Sequence, residues 1–425
     1  MHPLGGLARR SFIVEKLRQD ADGVLAVDAG DDLCGPPVPA GQHEIRGRLI
    51  LDAMKAIGVE AWQTGEHDRE ANIPLQEIPG HAVVTRAGVK IGIFSRDLDA
   101  PVKVVEVAPS VEAAALRNQG AELVVALFHG NPEHVKDALI GAVGSARIDV
   151  VVASHSKLYG VLEKLGETWL VECPPQDKNV CELDLHLVGK GAERLTFLDG
   201  GQRTQMEQQV ADQKRELIDL AQRAETAAPS VRDYIQQRRD TVATTIRNTQ
   251  LELEKLPPLT THSWLENVNI PLNADIPDEP HVGEMVRAYK DHVATLPPPP
   301  AKMESPEHNG FAGAKKCAEC HAGAYAFWQT TKHAKAMASL VVKKSDKDPA
   351  CTSCHVTGGL LTVPDVQCEA CHGGAQAHSQ RPTQKGLVRR AVPEGICTSC
   401  HSKAQAPDFN FAVYRAAIVG PGHGK

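Results

Sequence analysis

Apolar and polar positions follow two different rhythms along this chain. Over residues 1–200, short β-rich apolar runs (GVLAVDAG, VEAWQTGE, KIGIFSRD, ELVVALFHG, DVVVASHS, TWLVEC and CELDLHLV) alternate with helical stretches. That alternation predicts a layered α/β domain whose later strands are more antiparallel. From 203 to 256 glycines are few, Gln, Glu, Arg and Lys dominate, and the apolar spacing becomes three and four. Met206, Val210, Leu217, Ala221 and Ala224 mark one stripe; Val231, Ile235, Val242, Ile246, Leu253 and Leu256 mark another. Pro229 and Ser230 separate them, and Ser230 with Asp233 has the spacing of a capping pair. A helical hairpin follows, favoured as a surface strut over a coiled coil that would make a homo-oligomer. From Pro257 the pattern turns irregular, and Pro297–Pro300 reads as a semi-rigid spacer. The expected units are 1–202, 203–256, 257–300 as a Pro-rich linker, and 301–425.

The last quarter of the chain repeats one motif four times: Cys317-Ala-Glu-Cys320-His321, Cys351-Thr-Ser-Cys354-His355, Cys368-Glu-Ala-Cys371-His372 and Cys397-Thr-Ser-Cys400-His401. Paired zinc sites need no histidine after every second cysteine, whereas C-x-x-C-H attaches a c-type haem. The eight thiols are the expected covalent attachment points of four haems, and His321, His355, His372 and His401 the proximal ligands. Four haems in about 125 residues leave too little room for a conventional core, so the porphyrins themselves are expected to form it. The sixth ligand separates electron transfer from chemistry at an open iron. The remaining histidines here, His308, His333, His378 and His423, are the candidate distal ligands; His333 lies in a helix-like stretch and His378 six residues past His372. Met303 and Met337 are weaker candidates.

Charge sharpens the division. The chain carries 46 Lys and Arg against 53 Asp and Glu, net −7, which argues against nucleic-acid binding. Residues 301–425 hold 15 Lys and Arg against 9 Asp and Glu, a balance of +6, and the rest carries −13. A basic haem region suits anionic propionates. No apolar run reaches transmembrane length. The start, MHPLGGLARRSF, lacks a secretory pattern, yet haem is attached to C-x-x-C-H outside the bacterial cytoplasm. A periplasmic or otherwise exported protein is expected, its given N-terminus being truncated, trimmed or mis-started. Of the three other cysteines, Cys173 and Cys181 flank a turn-rich segment between two strand-like runs; a disulfide and two buried thiols are both open readings.

The series CAECH, WQTTKHAKAM, CTSCHVTGG, VQCEACHGGAQAH and CTSCH resembles the tetrahaem cytochromes that accept electrons from hydroxylamine oxidoreductase, over roughly residues 308–425. The resemblance implies electron exchange with redox partner proteins, two histidines on most irons, and one haem that can be five-coordinate.

In the first 200 residues, four apolar runs end in metal-ligand residues: Asp31, Glu66 (with His67), His129 and His155. Strand carboxyl ends gather ligands in α/β sheets, and an Asp/Glu/His set suits one divalent metal such as Zn, Mn or Fe. GGLARR, DAGD, GEHD, LFHG and SHSK resemble the catalytic domain of the 5′-nucleotidase and UDP-sugar diphosphatase family, a calcineurin-like metallophosphatase sandwich. The resemblance implies that Asp31 is the bridging aspartate, Glu66 stands where the family has asparagine, and His129 and His155 serve the second metal. It makes His67 the transition-state histidine and Glu70 its supporting acid. The family's early D-x-H pair is missing and Lys157 replaces the last histidine, so half of a dinuclear site survives. The primary expectation is an electron-transfer cytochrome with this domain as a docking or structural module. The alternatives are a metal-dependent phosphoesterase and a small-molecule reductase at an open haem; haem stacking into a conductive assembly is neither supported nor excluded.

Overall fold

The computed structural model describes residues 6–34, 40–100, 107–155, 162–174, 178–189, 192–296, 310–402, 406 and 409–420. Its centre is strand β5 (Leu123–His129), buried at every position. Leu123, Val125 and Leu127 face one core and Val124, Ala126 and Phe128 the other, the period of two that a strand imposes. Numbering strands in chain order, β3 (Ala82–Arg86), β4 (Val89–Asp97), β5, β6 (Val150–Ser154), β7 (Leu162–Leu165) and β8 (Thr168–Glu172) form a six-stranded sheet in the order β3-β4-β5-β6-β8-β7. The four inner strands are parallel and both edges antiparallel.

Helices α3 (Pro109–Asn118) and α4 (Pro132–Ala138) cover one face through Ala113, Leu116 and Val135. The other face packs on two smaller sheets. One is the parallel pair β1 (Ala26–Asp28) and β2 (Val59–Trp62); the other runs β10 (Leu198–Asp199), β11 (Trp264–Pro271), β9 (Asn179–His186). Leu127 and Leu265 meet in this inner core, both wholly buried, and burying each contributes roughly 1.5–3 kcal/mol. Beyond it lies α2 (His43–Ile57), which packs Ile50, Leu51 and Met54 against Trp62 and ends at Gly58 with φ 78°, the left-handed position glycine takes without strain. Helices α1 (Leu7–Asp20) and α7 (Pro280–Val293) join through Ala8, Ala53 and Val282. The layers run helix, sheet, sheet, helix, as the layered sandwich expectation requires.

The hairpin is α5 (Gly200–Thr226) and α6 (Pro229–Lys255), closed by Val210, Leu220, Ile235, Val242 and Ile246. Two details differ from expectation. Val231 is 47% exposed because it sits at the hairpin tip, beyond the packed stripe. Pro229 is the first helical residue and Ala228 the cap, so Ser230 falls inside the first turn and not at the cap position. The 257–300 stretch is also not an irregular linker: β11 pairs along its full length with β9, and α7 packs on α1 and α2. Pro297–Pro300 lie outside the described residues.

From residue 310 on the chain forms short helices that carry the four C-x-x-C-H motifs. The buried apolar residues described there are Ala314, Leu340, Val356, Ala375 and Ala406, far too little to hold such a region by itself. Cys173 and Cys181 form a disulfide, which settles the open reading. Among the described residues no helix is long and apolar enough to cross a membrane.

Candidate functional site: a metal-ligand cluster and a haem-binding arm

Four strand ends deliver four side chains to one point. Asp31 follows β1, Glu66 follows β2, His129 closes β5 and His155 follows β6, and their ligand atoms all lie within 4.8 Å of one another. His129 Nε2 is 2.8 Å from Glu66 Oε2 and 3.9 Å from Asp31 Oδ2; His155 Nε2 is 2.9 Å from Asp31 Oδ2. Asp31 and His155 both hold positive φ, 73° and 64°, an arrangement that costs of order 1–3 kcal/mol per residue and collects at functional sites.

The hydrogen bonds orient the ligands. Ser154 Oγ donates its one proton to the Ala29 carbonyl (2.7 Å) and so accepts from His129 Nδ1 (2.7 Å). The remaining lone pair, on Nε2, then faces two carboxylates, an arrangement that calls for a cation between them. Asp31 Oδ1 accepts from the His67 amide at 3.0 Å, while the buried Oδ2 has no well-directed hydrogen bond despite its nearness to His155. Burial works to raise the Asp31 pKa, but the contact with His155, the His67 amide and the two neighbouring imidazoles hold it below the usual carboxylate value. The His155 pKa is raised, chiefly by Asp31. An orphaned carboxylate oxygen, a bare imidazole lone pair and a second carboxylate are a donor set that fits a divalent metal.

His67 and Glu70, expected to act on substrate, lie beside the cluster: His67 Nδ1 is 3.0 Å from Glu70 Oε1, and this bond raises the His67 pKa. Lys157 lies outside the described residues. Two residues that sequence reasoning passed over build the site. Ser154 is one. The other is Asp68, fully buried, whose carboxylate accepts from the amides of Asp31, Asp32, Leu33 and Gly65 at 2.8–2.9 Å and so ties the β1 loop to the β2 loop. Gly65 is confined to glycine because a Cβ there would strike the Asp31 carboxylate.

In the C-terminal region imidazoles pair across the motifs. His321 and His378 have ring centres 6.4 Å apart at 28°, and His333 and His401 are 6.1 Å apart at 42°. Two imidazoles on opposite sides of one metal, at roughly 2 Å per nitrogen, hold their centres roughly 6 Å apart. Burial, and then the His401 charge, keep the His333 pKa low, favouring the neutral form that binds iron. His355 Nδ1 meets the Ala336 carbonyl at 2.8 Å and His372 Nδ1 the Arg389 carbonyl at 2.6 Å; each contact places the proton on Nδ1 and the lone pair on Nε2, the tautomer of a proximal ligand. His308 and His423 lie outside the described residues, as does Met303. Thiols of different motifs lie within interaction reach, Cys317 of Cys368 and Cys354 of Cys400. Glu369, invisible as a structural residue in the motif spacing, is buried and accepts from the amides of Ala312, Gly313 and Ala375 at 2.7–2.8 Å, fastening motif three to the segment before motif one.

Residues 316–373 match the family model described as cytochrome c554 and c-prime. Cytochrome c-554 of Nitrosomonas europaea is 40% identical over 89 residues, 15% of this chain and 38% of that protein, so the match spans well under half of the relative's length. A 5′-nucleotidase precursor from Thermus thermophilus aligns over 69% of this chain and 54% of its own at 15% identity, with a TM-score of 0.43. A hypothetical protein from the same organism aligns over 40% and 73% at 14% identity, with a TM-score of 0.27. The chain is thus similar to the cytochrome c554 and c-prime family over residues 316–373, and carries in addition an α/β unit with a cluster of side chains of metal-ligand type.

Proposed function

We propose that this protein is an exported electron carrier with four covalently bound c haems, and that its α/β unit holds one divalent metal at Asp31, Glu66, His129 and His155. The observation that carries the reading is the two pairs of facing imidazoles, His321 with His378 and His333 with His401, each with the separation of two ligands on one iron. Bound haem would supply reversible one-electron chemistry. The chain's own part is to clamp each porphyrin through two thioethers, to fix the proximal tautomer, and to close at least two irons with a second histidine. The disulfide between Cys173 and Cys181 supports an oxidising compartment.

Haem content per chain tests the first half: intact-protein mass and the pyridine haemochrome spectrum should both give four. Fewer would sink the tetrahaem reading. Reduced protein mixed with an electron acceptor should reoxidise rapidly without forming a ligand complex at most irons.

The cluster favours a second reading, a metal-dependent phosphoesterase. A metal there would polarise a phosphoryl oxygen, with His67 and Glu70 within reach of the developing charge. Phosphate release from nucleotide substrates by the metal-loaded protein, lost in His129→Ala, separates this activity from a purely structural metal.

A further inference from the structure

Helix Pro349–His355 carries both thiols and the histidine of motif two, and it is seated on the α/β unit. Asp348 caps it, accepting from the Ala350 amide at 2.9 Å, and the Asp348 backbone oxygen receives the amides of Cys351 and Thr352 at 3.0 and 2.8 Å. Gln42, buried at the start of α2, donates from Nε2 to Asp348 Oδ1 at 3.2 Å. Lys290 of α7 donates to the Lys343 carbonyl at 3.1 Å. Arg46, one turn further along α2, bonds the half-buried Tyr289 of α7, while its own buried Nε finds no acceptor among the described residues. The Cys351 sulfur lies within electrostatic reach of Arg46 and Lys290 as well as of Asp348.

Two cations of the α/β unit therefore face the attachment point at Cys351. An unpaired, buried guanidinium N–H is a donor that a porphyrin carboxylate would satisfy. We propose that α2 and α7 form one wall of the haem site at Cys351–His355, and that Arg46 and Lys290 raise the reduction potential of that haem selectively. This inference rests on the tetrahaem reading. Positive charge favours the ferrous over the ferric state, so removing it lowers the potential. In a half-buried setting the surviving anion, Asp348, adds to the fall.

The test uses the full-length protein with its haems, first counted, then titrated spectroelectrochemically. Arg46→Gln and Lys290→Gln should each move one of four one-electron components to lower potential, the double variant further. The expected shift is about tenfold in the reduced-to-oxidised ratio at fixed poise, which is about 59 mV. Lys290→Arg should leave that component where it was. A count below four overturns the function reading itself. Four haems with all components unmoved, or all moved equally, overturns the selective wall and leaves the function reading intact.

Discussion

At the scale of single residues, Asp68 and Ser154 hold the four candidate ligands in place through backbone groups of neighbouring loops. Asp31, Glu66, His129 and His155 announce themselves because each follows an apolar run, and parallel strands bring their carboxyl ends together. Ser154 and Asp68 carry no such signal, since their roles depend on which backbone groups a distant loop presents. Ser154→Ala should therefore weaken metal binding about 10–100-fold, the usual effect of losing such a support, in a calorimetric titration of the full chain with Mn²⁺ or Zn²⁺, with little change in thermal stability. Protons should compete as well. His155 has a raised pKa, so it stays protonated to higher pH than an ordinary histidine. Metal affinity should begin to fall with decreasing pH while still above the usual histidine range near 6.5, and in His155→Gln this part of the pH dependence should vanish.

Elements were legible where their period was clean. β5 reads as continuous apolar sequence because both of its faces are buried, and the two stripes of 203–256 become the packed seam of α5 and α6. β11 escaped because WLENVNIP ends in a proline and has polar residues on both faces, Glu266 on one and Asn267 and Asn269 beside the buried Leu265 on the other; only its register against β9 makes it a strand. α7 was hidden by the prolines around it, one of which, Pro280, is simply its first residue. These differences predict separable failures. Leu127→Ala, in a wholly buried position of β5, should cost about 2–5 kcal/mol and abolish metal binding with the fold of the sandwich. Ile246→Ala in the hairpin seam should cost about as much locally, exposing α5 and α6 to limited proteolysis while haem content and metal affinity stay unchanged.

At the scale of the whole molecule, two cores of different kinds share a chain. The α/β unit closes on itself through apolar side chains, and even the residues after the hairpin return to it as β11 and α7. The haem arm has almost no apolar core of its own, and its described ordering rests on polar clamps such as Glu369 and on sulfur atoms that meet across motifs. Those meeting sulfurs bear on biogenesis. Cys317 and Cys368, and likewise Cys354 and Cys400, interact across motifs in a protein whose Cys173 and Cys181 form a disulfide. Haem ligation must therefore outrun thiol oxidation. When haem supply is limited, the chain should accumulate as a kinetically trapped species with disulfides between motifs one and three and between two and four. Alkylation followed by peptide mapping would find those two links, and a reductant added before haem should restore the path to the mature protein.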